Sequence, residues 1–114
     1  MTDEMLVLGQ IPTVRNDPTH ERYVIAVSGG VVLGHIRYHD LGHVVSLKRT
    51  AIEPEYAGVQ GLSNRLVHGA LAEIRARGQK MLPYCPVVRE VVTRERDRFE
   101  DLVPEKHREE FGLG

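Results

Sequence analysis

The chain has 114 residues, enough for one domain around one core, and with few aromatics and no Trp that core must come from Val, Leu, Ile and Ala. Its formal charge is −1, with 15 Lys and Arg interleaved among 16 Asp and Glu, so no block of sequence advertises a polyanion and nucleic acid is not an expected partner. A single cysteine, Cys85, excludes an intrachain disulfide and a cysteine-rich zinc site, and no stretch approaches the ~18 apolar residues of a membrane span; the expected setting is the reducing cytoplasm, with no membrane partner.

Residues 1–16 mix apolar residues with Gly9 and Pro12 and show no period, which predicts a loosely attached extension to a core running from about 23 to 103 in a single domain. Tyr23 to Val27 is a β-branched run, Ser28-Gly29-Gly30 is turn chemistry, and Val31 to Tyr38 resumes a strand; together they predict a β-hairpin. Alternation puts Ile36 and Tyr38 on one face and His35, Arg37 and His39 on the other, wet face. Asp40-Leu41-Gly42 is another turn, and His43 to Ile52 reads as a third strand stopped near Pro54.

From Gly61 the period becomes helical, with Leu62, Leu66, Val67, Ala70, Leu71 and Ile74 on one face and Gly78 as the stop. Lys80 to Tyr84 is then a short apolar strand, expected parallel to the third and deep in the sheet because a crossover helix precedes it. Cys85-Pro86 opens a second helix with Val87, Val88, Val91 and Val92 as its buried stripe, since Pro suits the first helical position. Arg94 to Arg98 reads as a solvated helix end and Pro104 to Phe111 as a short terminal helix. The order is an α+β pattern: a mixed, mainly antiparallel sheet with flanking helices.

Gly58-Val59-Gln60-Gly61-Leu62-Ser63 places small residues where a strand passes into a helix, leaving backbone N–H groups free at the helix start; such a loop serves equally as an anion site or as a plain turn capped by Ser63. In that position it resembles the pyrophosphate-binding Gln/Arg-x-x-Gly-x-Gly/Ala loop of the GNAT acyltransferases. Gly61 matches the central glycine, while Gly58 stands for the usual Gln or Arg and Ser63 for the final small residue. Pro83-Tyr84-Cys85-Pro86-Val87-Val88 resembles the Pro-x-Cys-Pro-x-Val segment of the minimal, YjdJ-type branch of that superfamily, as do Gly34-x-Ile36-x-Tyr38 and Thr50; Arg49 replaces the His that often precedes that Thr.

The resemblance implies a GNAT-like fold and an acyl-CoA-dependent acetyltransferase, with acetyl-CoA or CoA held by Val59, Gln60, Gly61, Leu62, Ser63, Arg65 and Thr50. It also implies that Cys85 lies near the thioester sulfur. Helix N-termini favour thiolate, so Cys85 reads either as an acyl-accepting nucleophile or as a small buried hydrophobe. The acceptor, a small amine or a protein, has no signature. His35, His39 and His43 flank one turn without a carboxylate pair to complete a ligand set, so no metal is expected; a histidine, Glu53 or a chain of waters would be the base. The alternative function is a module that binds CoA or acyl-CoA without catalysis, or an adaptor that has lost CoA.

Overall fold

A computed structural model describes residues 6–114. Its elements in order are β1 (Thr13–Asp17), β2 (Arg22–Val27), β3 (Val31–Asp40), β4 (Val44–Ile52), α1 (Leu62–Ala76), β5 (Lys80–Pro83), α2 (Pro86–Arg94) and α3 (Arg96–Phe99). The sheet runs β1-β2-β3-β4-β5, so strand order follows chain order, and only the β4–β5 pair, joined through α1, is parallel. The hairpin, the third strand, the central helix starting just after Gly61 and the parallel fourth predicted strand (β5) all stand where the residue pattern puts them.

The register explains the two faces. Asn16, Tyr23, Ile36 and Thr50 lie on one rung across four strands, and Val14, Ile25, Gly34 and Ile52 on another; their side chains turn toward α1. Leu62, Leu66, Val67, Ala70, Leu71 and Ile74 come down from α1 onto this face and join Val88, Val91 and Val92 of α2 in one continuous core. Tyr23 and Tyr38 stack with ring centroids 4.8 Å apart, and the Tyr38 hydroxyl donates to Asn16 Oδ1 at 2.7 Å. Burial pushes both phenols above the usual tyrosine range, Tyr23 the further.

Three expectations are corrected. The first is the loose extension, which instead supplies β1: Thr13–Asp17 pair antiparallel with Arg22–Ala26, and Val7 is buried in the core. The alternation was masked because the strand's outward residues, Thr13 and Arg15, are polar and its neighbours Pro12 and Pro18 bracket only five residues. The second is β5, which is an edge strand rather than deep in the sheet; Met81, Leu82 and Pro83 are buried by the helices and the C-terminal segment instead of a sixth strand.

The third is the terminal helix expected over Pro104 to Phe111; the Arg94–Arg98 run ends α2 and is exposed apart from Glu95, as a solvated helix end should be. The helix breaks at Glu95 and restarts as α3, which buries Phe99, while the segment beyond forms 3₁₀ turns at Glu105–His107 and Glu109–Phe111 that seat Phe111 and Leu113 in the core. That segment is also held by polar contacts, with Arg75 paired to Asp101 at 2.7 Å and Lys80 Nζ donating to the Asp101 carbonyl at 2.7 Å.

One glycine shows how tightly β1 is seated. A Cβ on Gly69, in the middle of α1, would stand 2.5 Å from Val14 Cβ. Gly→Ala inside a helix ordinarily stabilises by about 0.5–1 kcal/mol. Here Gly69→Ala is expected to lower stability by about 1–3 kcal/mol, because neither α1 nor β1 has room to yield; thermal denaturation of the variant measures the sign directly.

Carboxylates give the fold its acid sensitivity. The hydrogen bond from His68 holds Glu95 below the usual carboxylate range, and that from Arg75 does the same for Asp101. A carboxyl whose folded pKa is depressed contributes stability that is present above its unfolded value, about 4, and lost as pH falls through the folded value. The thermal midpoint should therefore fall below about pH 4, with a shallower fall in Glu95→Gln combined with Asp101→Asn.

Candidate functional site

The site grows from where β4 and β5 part. They pair only from Val44–Leu47 against Lys80–Pro83, with Cys85 N–H extending the ladder to the Leu47 carbonyl at 2.9 Å. Beyond that point β4 continues to Ile52, bonded to β3 on one side, while the other chain turns away into α2. The parting coincides with a β-bulge: Arg37 opposes Arg49 and Tyr38 opposes Leu47, which leaves Lys48 as the extra residue on β4. A bulge bends and twists its strand, and here it swings the last third of β4 out of reach of β5. Among the described residues no strand pairs with Lys48–Ile52 on the β5 side.

Cys85 and Thr50 meet at the apex of this cleft. Cys85 is the N-cap residue of α2 with Pro86 at the first helical position, and Cys85 Sγ lies 3.0 Å from Thr50 Oγ1. The sulfur makes no capping bond to the first amides of α2, and it is buried to 1% exposure. Its surroundings are the core residues of α2 and β5, and among the described residues no histidine, lysine or carboxylate hydrogen-bonds to it.

The 58–63 loop lies at the far end of the same strand, after a 3₁₀ turn at Pro54–Tyr56. Gly61 sits at φ +82°, a conformation costly for any residue with a Cβ, and it turns the chain into α1. Two loop amides are spent internally, Val59 N–H on the Tyr56 carbonyl (3.0 Å) and Leu62 N–H on the Val59 carbonyl (3.4 Å), and the Leu62 side chain anchors the loop in the core. The amides of Gln60, Gly61, Ser63 and Asn64 have no acceptor among the described residues. These are the donors an anion would meet, with the positive end of α1 behind them.

Arg65, one turn on, gives its Nε–H to the Pro12 carbonyl at 3.0 Å and lines an open depression of about 620 Å³ with Gly61, Asn64 and His68. This depression does not include Thr50 or Cys85, so the seven loop, helix and strand residues singled out from sequence form two groups rather than one: Thr50 at the cleft apex with Cys85, and Val59 to Ser63 with Arg65 at the start of α1. Asn64, absent from the sequence-based set, has an open amide like its neighbours; counting the first four amides of the helix would have found it. His68 is hydrogen-bonded to Glu95 at 2.7 Å, a pairing across 27 residues that no local spacing in the sequence signals. Of the three histidines around the β3–β4 turn, His35 is half-buried and His39 faces Glu21 at 3.6 Å.

With this geometry in hand, comparison with known proteins is specific. A family model described as GCN5-related N-acetyl-transferase matches residues 22–102, most of the chain. The protein belongs to the GCN5-related N-acetyltransferase family, whose chemistry is acyl-CoA-dependent acetyl transfer. A search of curated proteins finds no match. The matched span starts at β2 and ends in the 3₁₀ turn after α3, so β1 lies outside it.

Burial fixes an expectation for the thiol. Iodoacetamide should alkylate Cys85 in the folded protein at least about 100-fold more slowly than in denaturant, because the sulfur must wait for a local opening; comparable rates in the two states would show that the cleft apex is open.

Proposed function

We propose that the protein transfers the acetyl group of acetyl-CoA to an amine, on a small molecule or a protein, in the cytoplasm. The observation that supports this best is the parting of β4 from β5, which leaves a strand edge leading from the open amides of α1 to Thr50 and Cys85. In this reading the pyrophosphate of the donor rests on the amides of Gln60, Gly61, Ser63 and Asn64, with the remaining donors of Arg65 beside it. The pantetheine arm lies along the free edge of Lys48–Ile52 and bonds to it as a missing strand would. From Glu53 back to Thr50 is about 10 Å of strand, so the thioester comes to rest near the Thr50–Cys85 pair.

The amine then attacks the thioester carbonyl. The carbonyl oxygen gains negative charge that a backbone N–H of the unpaired β4 edge stabilises, the C–S bond breaks with its electron pair leaving on the CoA sulfur as thiolate, and the amine proton is lost to water, from which the thiolate takes one up. Transfer is direct in this reading. A nucleophilic cysteine needs a base or a cation beside it, and Cys85 has a Thr hydroxyl instead; its role is to close the cleft floor with a small side chain. Incubation with acetyl-CoA and no acceptor should therefore leave Cys85 unacylated by mass spectrometry, and Cys85→Ala should keep transfer activity within severalfold. An acetyl adduct on Cys85, with loss of activity in Cys85→Ala, would replace direct transfer by an acyl-enzyme relay.

A second reading, binding of acyl-CoA without turnover, draws support from Gly58. The long polar residue of the family loop is missing there, and a Cβ on Gly58 meets nothing within 4 Å. Calorimetry with CoA tests the loop in both readings. Gly61→Val should weaken affinity at least about tenfold, since it strains the left-handed turn and blocks approach to the amides. Gly58→Arg should fold normally and tighten binding severalfold by adding a cation at the pyrophosphate. Unchanged affinity in both variants would remove the loop from the site, and acetylation of a generic amine above the uncatalysed rate separates transfer from binding alone.

A further inference from the structure

The face of the sheet turned away from α1 is covered by the C-terminal segment at Val44, Lys80 and Leu82, and beyond that end its register gathers arginines that are far apart in the chain. Asp17, Arg22, Arg37 and Arg49 occupy one rung across β1, β2, β3 and β4, and Arg15, Val24, His35 and Ala51 occupy the next rung on the same face. Lys48, exposed at the bulge, adjoins Arg49. Directly opposed like charges destabilise a sheet, and here three arginines stand in a row at strand spacing, about 5 Å apart.

Only Arg22 is compensated, by Asp17 at 3.0 Å. Arg15, Arg37, Arg49 and Lys48 have no carboxylate within salt-bridge distance among the described residues. His35 registers the local field: burial first, then Arg22 and Arg37, holds its imidazole below the usual histidine range, and its Nδ1 is buried without a partner. Arg15, Arg37, Arg49 and Lys48 are all exposed, so their charged ends are accessible.

We infer that this arginine-lined sheet face is a docking surface for an acidic, Glu/Asp-rich segment of a partner protein. Arginine suits carboxylates because its planar fork binds them bidentately, and neighbouring carboxylates on one segment would neutralise Arg37 and Arg49 together. Nucleic acid fits less well. The aromatic rings of this sheet, Tyr23 and Tyr38, are on the opposite face, so no base can stack here. Four unpaired cations are also fewer than the 6–10 phosphate contacts of firm duplex binding. The inference stands apart from acyl transfer, since it uses neither the cleft nor the loop.

The test is fluorescence anisotropy of a labelled octaglutamate peptide with the intact protein at low salt and at about 0.3 M salt. Binding at low salt that weakens steeply with salt, and at least about tenfold in Arg37→Gln combined with Arg49→Gln, is expected. A charge-matched control, Arg77→Gln with Lys106→Gln, should bind like the parent. Thermal denaturation guards against misfolding: relief of the repulsion predicts a higher midpoint for Arg37→Gln than for the parent. The inference is overturned if the folded parent fails to bind at low salt, if both double variants bind equally, or if an oligothymidylate of equal charge binds tighter than octaglutamate through the same arginines.

Discussion

The cleft depends on the parting of β4 from β5, set by the bulge at Lys48 on one strand and by Pro86, which turns the other into α2. The bulge at Lys48 bends β4 just past the last parallel pair, Leu47 with Pro83, so the rest of β4 has no neighbour on that side. With it, four residues of parallel pairing hold the strands together at one end, Cys85 N–H makes the last rung, and the rest of β4 keeps an exposed row of backbone groups. Unpaired edges are normally a hazard. This one is short and carries Lys48 and Arg49, charges that discourage another strand from adding there.

Much of the frame was legible because its periods are clean. The helical stripe from Leu62 to Ile74 and the Gly78 stop leave little choice for α1, and Cys85-Pro86 marks the start of α2 with the residue type that favours a first helical position. The five-residue β1 was not legible, since a short strand with polar outward residues has the same composition as a loop; what holds it is α1, through the space that Gly69 leaves for Val14. The break at Glu95 was hidden for a similar reason. Its cause is the bond to His68 and the burial of Phe99, both tertiary.

The candidate site divides in the same way. Residue types at the loop, at Thr50 and at Cys85 carry a family pattern that the sequence shows, whereas the contact between Thr50 and the sulfur exists only in the fold. The arginine face shows the opposite case. In sequence the basic residues look evenly interleaved with acids, yet alternation sends Arg15, Arg22, Arg37 and Arg49 to one side while registers align three of them. Charge that averages to almost nothing along the chain is thus concentrated by the sheet, and composition cannot report it.

The strand order has a kinetic meaning as well. Each antiparallel neighbour in the sheet is also the next strand in the chain, and the turns between β2 and β3 and between β3 and β4 are only a few residues long. These closures cost little entropy and can form early. The parallel join is different, because β5 must wait for α1 to cross over and pack before it finds β4. A growing chain would therefore present a four-stranded meander first, and the cleft would exist only after β5 and α2, residues 80–94, had been added.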